Sequence, residues 1–137
     1  MKNYSKLLPI LFLLILATFS GCIIEEEDPN TDPRDKFLGD WKVDETCSRG
    51  NYIVTISYDP SNSTQVLLKN FGNPGSGYDP AVGFVVGNEL YISSQTIGPS
   101  WTVSGQGSYV KSNETIGWNY SLTIGGNLLQ CSALYSR

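Results

Sequence analysis

The sequence predicts an all-β domain, folded as an eight-stranded antiparallel up-and-down β-barrel. From residue 39 onward, apolar and polar residues alternate in short runs separated by Gly, Asn and Pro, the pattern of half-buried strands joined by turns. The composition agrees, because 14 glycines and only 16% charged residues are untypical of long helices or coiled coils. Eight strands with short connections remove their exposed edges by closing into a barrel, and their even number makes the closing pair antiparallel. An immunoglobulin-like β-sandwich is the alternative fold.

Residues 1–21 have the layout of an export signal. Two lysines open the chain, an apolar run covers residues 7–17, and small residues follow it. A membrane-spanning helix needs about 20 apolar residues, and this run is shorter. Phe19-Ser20-Gly21-Cys22 resembles the lipobox of bacterial lipoproteins, in which the cysteine receives a diacylglycerol through a thioether. The resemblance implies a lipoprotein signal peptide and a lipid on Cys22, which would attach the protein to a membrane. An ordinary signal peptide cut after Ser20 is the alternative.

Residues 22–35 are predicted to form an acidic tether between the lipid and the domain. Residues 23–35 contain six acids, two prolines and one base, with too little apolar surface to fold. We expect them to be extended and to hold the domain away from the bilayer. The acidic run also resembles the signal that directs some lipoproteins to the outer face of the outer membrane. Calcium binding by residues 25–28 is a weaker alternative, because a high-affinity site needs about six to eight oxygens in a fixed loop.

The β-barrel domain is predicted to span residues 36–137. It contains six bases and seven acids, a net charge of -1, so it has no basic stripe and nucleic acid is not an expected partner. The chain has no histidine, which excludes Ser-His-Asp triads, Cys-His pairs and histidine metal ligands.

Turn-forming residues divide this domain into eight strands. Residues 73–77 form a longer loop, and Gly87-Asn88 between two apolar runs predicts a tight hairpin. Residues 101–111 are either two short strands or one long strand, which Gly105 and Gly107 would bend. The predicted strands cover about residues 40–47, 51–59, 64–71, 82–86, 89–93, 101–111, 115–124 and 128–136.

The odd number of cysteines, three, supports both the lipid and a disulfide. If Cys22 is acylated, Cys47 and Cys131 remain as a pair, and export makes their disulfide chemically plausible. Cys47 ends the first predicted strand and Cys131 lies within the last. A bond between them would therefore staple the seam at which the barrel closes.

This disulfide also predicts the register of the first and last strands. If the two cysteines face each other, antiparallel partners have residue numbers that add up to 178. The guanidinium of Arg137 would then lie over the indole of Trp41 as a cation–π pair at the barrel's end, unless Arg137 is a frayed terminal residue. The predicted pairs are Glu45 with Ala133, Val43 with Tyr135, and Trp41 with Arg137.

Phe37-Leu38-Gly39-Asp40-Trp41 resembles the Gly-x-Trp opening of lipocalin and calycin barrels, whose first-strand Trp packs against a basic residue of the last strand. With the tether and the cysteine pair, the chain is similar to small lipocalin-like lipoproteins of bacteria. The resemblance covers residues 36–137 as a strand pattern, and its specific residues are Gly39, Trp41, the cysteine pair and Arg137. The domain is shorter than most lipocalins and lacks their other loop motifs.

Two functions of different classes are compatible with such a barrel. The first is a carrier or sensor that binds a small apolar ligand, since eight strands enclose room for one small molecule or for side chains alone. The second is a non-enzymatic surface interaction or structural module with a filled core, which contacts a partner through the loop of residues 73–79. The aromatic residues predicted to fill the interior are Tyr52, Tyr58, Phe71, Phe84, Trp101, Trp118 and Tyr120.

An enzyme is not expected, and neither is a cofactor or a metal. No two carboxylates of the domain form a recognisable catalytic pair, and most lie at strand ends, where charge favours solubility. Pairing of Cys47 with Cys131 leaves the domain without a thiol nucleophile. The carboxylates considered are Asp40, Asp44, Glu45, Asp59, Asp79, Glu89 and Glu114.

Overall fold

A computed structural model describes residues 28–47 and 50–137. In this part of the chain, eight strands form a closed antiparallel barrel whose strand order follows the sequence, which confirms the predicted fold class. A short 3₁₀ helix, Asp35–Phe37, precedes the barrel. The strands are β1 Gly39–Glu45, β2 Tyr52–Tyr58, β3 Gln65–Lys69, β4 Ala81–Val86, β5 Glu89–Ile97, β6 Trp101–Val110, β7 Thr115–Ile124 and β8 Asn127–Ser136.

The two ends of the barrel differ. The 3₁₀ helix and the C-terminus lie at one end, called here the helix end. Cys47 and the longest connection, residues 70–80, lie at the other, called here the disulfide end. No helix within the described residues is long and apolar enough to span a membrane. The predicted signal peptide, Cys22 and the acidic residues 25–27 lie outside the described residues.

Three strands differ from the predicted boundaries by two or more residues. β1 ends at Glu45 instead of residue 47, so Cys47 lies just beyond the strand that it was predicted to end. β5 continues to Ile97 instead of ending at residue 93, because a bulge between Ile92 and Gln95 lets its pairing with β6 resume. β3 ends at Lys69, so that Phe71 belongs to the following connection. β6 is one continuous strand, which decides between the two predicted alternatives.

The seam between β1 and β8 has the predicted register. Val43 pairs with Tyr135 and Glu45 with Ala133, so the partner numbers add up to 178. A Cys47–Cys131 disulfide joins the two strands beyond these pairs, with a Cα–Cα distance of 5.4 Å. The first and last strands are therefore held together by both backbone pairing and a covalent bond.

Trp41 and Arg137 close the helix end. The guanidinium of Arg137 lies 4.1 Å from the centre of a Trp41 ring, and it donates hydrogen bonds of 2.9 Å to the carbonyls of Lys36 and Leu38. The indole Nε1 of Trp41, a fully buried residue, donates to the carbonyl of Phe37 at 2.8 Å. Arg137 is thus docked rather than frayed, and it fastens the 3₁₀ helix to the barrel.

The last residues of the predicted tether also pack on the helix end. Arg34 is only 9% exposed, forms a 2.6 Å ion pair with Asp32, and donates at 3.1 Å to the carbonyls of Asn62 and Gln65. Its guanidinium lies 4.4 Å from the centre of the Tyr58 ring. The prediction of an extended spacer is therefore wrong for residues 32–35, because one arginine satisfies two loop carbonyls and brings the chain onto the barrel.

Alternate residues of each strand point into the barrel and form its interior. Three of the seven aromatic residues predicted to lie there do not. Phe84 points outward, 37% exposed, because its neighbours Gly83 and Val85 take the inward positions of β4. Tyr58 lies exposed at the end of β2, and Trp101, the first residue of β6, is half-buried. The predicted aromatic residues that are buried are Tyr52, Phe71, Trp118 and Tyr120.

Substitution of Arg137 tests the closure of the helix end. We expect Arg137→Ala to lower the free energy of unfolding by about 1–2 kcal/mol, because it removes the cation–π contact and two hydrogen bonds. Arg137→Lys keeps the charge but not the planar guanidinium, so its loss should be intermediate. Urea denaturation gives the values.

The matched control is Lys69→Ala, which removes a charge from the exposed end of β3. We expect it to change stability by less than about 0.5 kcal/mol. An Arg137→Ala variant as stable as the control would contradict the docking of the C-terminus.

Candidate functional site

Phe71 enters the barrel from the connection at the disulfide end. Its neighbours Asn70 and Gly72 have φ angles of 67° and 72°, a left-handed conformation that Asn and Gly adopt most readily. The Asn70 side chain donates to the carbonyl of Ile53 at 3.0 Å and accepts from the amide of Gly75 at 2.9 Å. The local sequence thus turns the chain twice and directs the Phe71 ring inward, where it is buried.

The Phe71 ring lies at the centre of an aromatic cluster. Its centroid is 5.0 Å from those of Trp118 and Tyr120, both in edge-to-face geometry, and 6.5 Å from that of Tyr135. Trp118 and Tyr135 are themselves 5.6 Å apart. Edge-to-face contacts of this kind are favourable beyond simple burial. Phe71 therefore fills the space among these three rings.

Two glycines of β6 allow close approach of β7 at the positions of Trp118 and Tyr120. Gly107 pairs with Trp118 and Gly105 with Tyr120. A Cβ atom on Gly107 would lie 2.6 Å from Cε2 of Trp118, and one on Gly105 would lie 2.4 Å from Cβ of Tyr120. In the sequence, Gly105 and Gly107 predict a bend in the strand. In the structure Gly107 lets the Trp118 ring lie across β6, and Gly105 lets the backbone of β7 at Asn119 and Tyr120 approach β6 closely.

A carboxylate lies beside the aromatic cluster. Glu45 is the last residue of β1 and follows Trp41 and Val43 on the inward face of that strand. The hydroxyl of Tyr52 donates to Glu45 Oε2 at 2.9 Å, and the hydroxyl of Tyr120 donates to the same oxygen. Tyr120 thus connects the carboxylate to Phe71.

Three buried polar atoms of this region have no hydrogen-bond partner among the described residues. They are Oε1 of Glu45, Nε1 of Trp118 and the hydroxyl of Tyr135. Trp118 is 1% exposed and Tyr135 is fully buried. Buried polar groups without partners are rare and destabilising, so such a group calls for a water, an ion or a ligand. The three atoms identify the interior of the disulfide end as the candidate functional site.

Tyr52 and Tyr135 stay protonated. Burial, and then the neighbouring tyrosines and Glu45, raise the pKa of Tyr52 above its usual range. Burial, followed by Tyr120 and Glu45, raises the pKa of Tyr135 in the same direction. Both hydroxyls therefore remain available as hydrogen-bond donors at any physiological pH.

The other residues singled out in the sequence lie outside this site. Glu89 is near the helix end, where its Oε2 accepts from Gln106 and Ser108 at 2.8 Å and 2.7 Å. Tyr78, in the predicted contact loop, is exposed. No group of three or more His, Cys, Asp or Glu residues with metal-binding geometry occurs among the described residues. The structure brings Glu45 alone, of the seven carboxylates considered, into the aromatic cluster.

Sequence reasoning missed two members of the site. Tyr135 was paired with Val43 but not placed among the interior aromatics, although the same register puts it on the inward face of β8. Glu45 was interpreted as a strand-end charge that favours solubility. Its alternation with Trp41 and Val43 was the signal for an inward position.

Comparison of the chain with protein-family models, with curated proteins and with solved structures gives no match.

Replacement of Gly107 tests the packing of the site. We expect Gly107→Ala to lower the free energy of unfolding by about 1–3 kcal/mol, because the new methyl group overlaps the Trp118 ring. Near-ultraviolet circular dichroism should also change as the indole shifts. Urea denaturation measures the stability.

Gly117→Ala is the control, since a Cβ at Gly117 of β7 meets nothing within 4 Å. Its effect should stay within about 0.5 kcal/mol. Equal effects of the two substitutions would show that the Trp118 ring does not lie on Gly107.

Proposed function

We propose that this protein is an exported lipoprotein, anchored to the membrane of a bacterial cell envelope through Cys22. The signal-like layout of residues 1–21 and the resemblance of residues 19–22 to a lipobox support the proposal. A diacylated or triacylated cysteine attaches a protein stably, because stable anchoring takes more than one acyl chain. The acidic residues that follow Cys22 favour the outer membrane, and exposure at the surface, as the location.

We further propose that the lipocalin-like barrel is a non-enzymatic binding protein for a small ligand. The observation that carries this proposal is the group of three buried polar atoms, from Glu45, Trp118 and Tyr135, without partners in an aromatic interior. A ligand with an apolar body and a polar group would satisfy them and would stack on the rings. Phe71 occupies the centre of the cluster, so the ligand enters as Phe71 moves aside.

The second candidate function is an interaction module with a filled core. Phe84 and Tyr91 favour it, because their rings stack on the outer face of the barrel at 5.1 Å and form an apolar patch with the exposed Val86. In this case Phe71 remains in place permanently, and the outer face or the exposed Tyr78 contacts a partner.

Acylation is tested by metabolic labelling with an alkyne analogue of palmitate in a bacterial host. We expect the wild-type chain to incorporate the label and to sediment with membranes. Cys22→Ala should abolish incorporation, because the thiol is the acceptor of the lipid.

The control for labelling is the double substitution Cys47→Ser and Cys131→Ser, which removes the other two cysteines and should leave incorporation intact. Label on the Cys22→Ala chain, or none on the wild type, would overturn the lipoprotein proposal.

Ligand binding is tested with 2-phenylethanol, a neutral probe that carries one ring and one hydroxyl. Binding to the full chain in non-ionic detergent micelles is followed by the NMR signal of the Trp118 indole N–H, assigned with Trp118→Phe. We expect a saturable shift in the wild type. Phe71→Ala empties the centre of the cluster and should tighten binding by about tenfold or more, as apolar cavities accept small aromatic molecules.

Phe84→Ala is the matched control, because it removes the same ring from the outer face of the barrel. It should leave the affinity unchanged. If neither the wild type nor Phe71→Ala binds either this probe or the amine introduced below, the ligand-binding proposal fails and the filled-core module remains.

A further inference from the structure

Glu45 is a carboxylate whose two oxygens have different surroundings. Oε2 accepts hydrogen bonds from the hydroxyls of Tyr52 and Tyr120. Oε1 is buried and accepts none from the described residues. A carboxylate removed from water is strongly destabilising unless hydrogen bonds and an opposite charge compensate it. The two hydrogen bonds to Oε2 provide part of this compensation, whereas Oε1 still lacks a hydrogen-bond donor.

The described residues supply no positive charge to Glu45. None of them forms an ion pair with it, and the two described arginines lie at the helix end, where Arg34 binds Asp32 and Arg137 lies over Trp41. The groups that act electrostatically on Tyr52 and Tyr135 are Glu45 and other tyrosines, with no cation among them. The negative charge of Glu45 is therefore not neutralised within the described part of the protein.

The rings around this charge are suited to a cation. The Phe71 ring contacts those of Trp118, Tyr120 and Tyr135 edge to face or at a tilt, and Tyr120 reaches from Phe71 to the carboxylate. Aromatic faces attract ammonium groups, and the attraction grows to about 2 kcal/mol or more where water is excluded. The carboxylate and the aromatic rings thus both favour a cationic ligand.

We propose that the interior of the disulfide end binds a small primary ammonium ion that carries an apolar group. The ammonium donates to Glu45 Oε1, and the apolar group lies against Trp118 and Tyr135 in space that Phe71 vacates. The indole N–H of Trp118 and the hydroxyl of Tyr135 are left to donate to an acceptor on the same ligand. This inference rests on the proposed ligand-binding function and names the ligand's charge.

Ordered water is the competing occupant. A water needs about two to four polar partners in a buried site, and the three unpartnered atoms would provide them. Water and an amine differ in one respect that is easily measured. Only the amine makes occupancy depend on the charge of Glu45 and on the charge of the probe.

The experiment compares two probes of the same shape on the full chain in non-ionic detergent micelles at pH 7. They are 2-phenylethylamine, which is cationic, and 2-phenylethanol, its neutral counterpart. We expect the amine to bind the wild type at least about tenfold more tightly, read from the Trp118 indole N–H signal. This comparison requires no substitution and is independent of any folding defect.

Glu45→Gln keeps the size of the side chain and removes its charge. We expect it to lower the affinity for the amine by about tenfold or more and to leave that for the alcohol nearly unchanged. Glu89→Gln, on a carboxylate outside the cluster, should alter neither affinity.

The possible results distinguish failure of the ammonium inference from failure of the ligand-binding proposal. If the alcohol binds as tightly as the amine, the ammonium inference is overturned while the ligand-binding function stands. If the amine binds equally to the wild type and to a folded Glu45→Gln chain, the assignment of Glu45 is overturned. If neither probe binds the wild type or Phe71→Ala, the buried atoms hold water only, and both proposals fail.

Discussion

The pairing of β1 with β8 is the interaction on which the rest of the structure depends. Without it the sheet would expose two edges, and the interior would open to water. The pairs Val43–Tyr135 and Glu45–Ala133 set its register, and the disulfide holds it across a sequence separation of 84. By the loop-entropy model a link of that length stabilises the folded state by about 4–5 kcal/mol. A slip of one residue would reverse the facing of β1 and carry Glu45 to the outside.

Closure at this register produces an interior with two different ends. At the helix end the polar groups are satisfied, since the Trp41 indole, Arg137 and Arg34 all donate to backbone carbonyls. At the disulfide end a carboxylate, an indole and a phenol are buried with polar atoms unpartnered. A protein selected for stability alone would pair such groups or replace them with apolar ones. Their presence in an aromatic setting is the observation on which the ligand-binding proposal rests.

The sequence predicted the strands and the seam because both depend on short-range or covalent rules. Alternation places each strand, and two cysteines fix the register of the seam. The site was harder to predict. Both Phe71 and Phe84 were predicted to point inward. Phe84 occupies an outward position of β4, whereas the left-handed residues on either side of Phe71 turn its ring into the barrel. Trp118 and Tyr135 lack hydrogen-bond partners for their polar atoms among the described residues. This property depends on distances between strands, which the periodicity of the sequence does not encode. Glu45 alternates with Trp41 and Val43 along β1, but its position at the strand end suggested a solvated charge.

The most direct test of this account is the register of the seam in solution. Nuclear Overhauser effects between backbone protons of β1 and β8 report it without any substitution. The account predicts contacts between Val43 and Tyr135 and between Glu45 and Ala133. Absence of contacts between the two strands, or contacts displaced by one residue, would contradict the closed barrel described here and remove Glu45 from its interior.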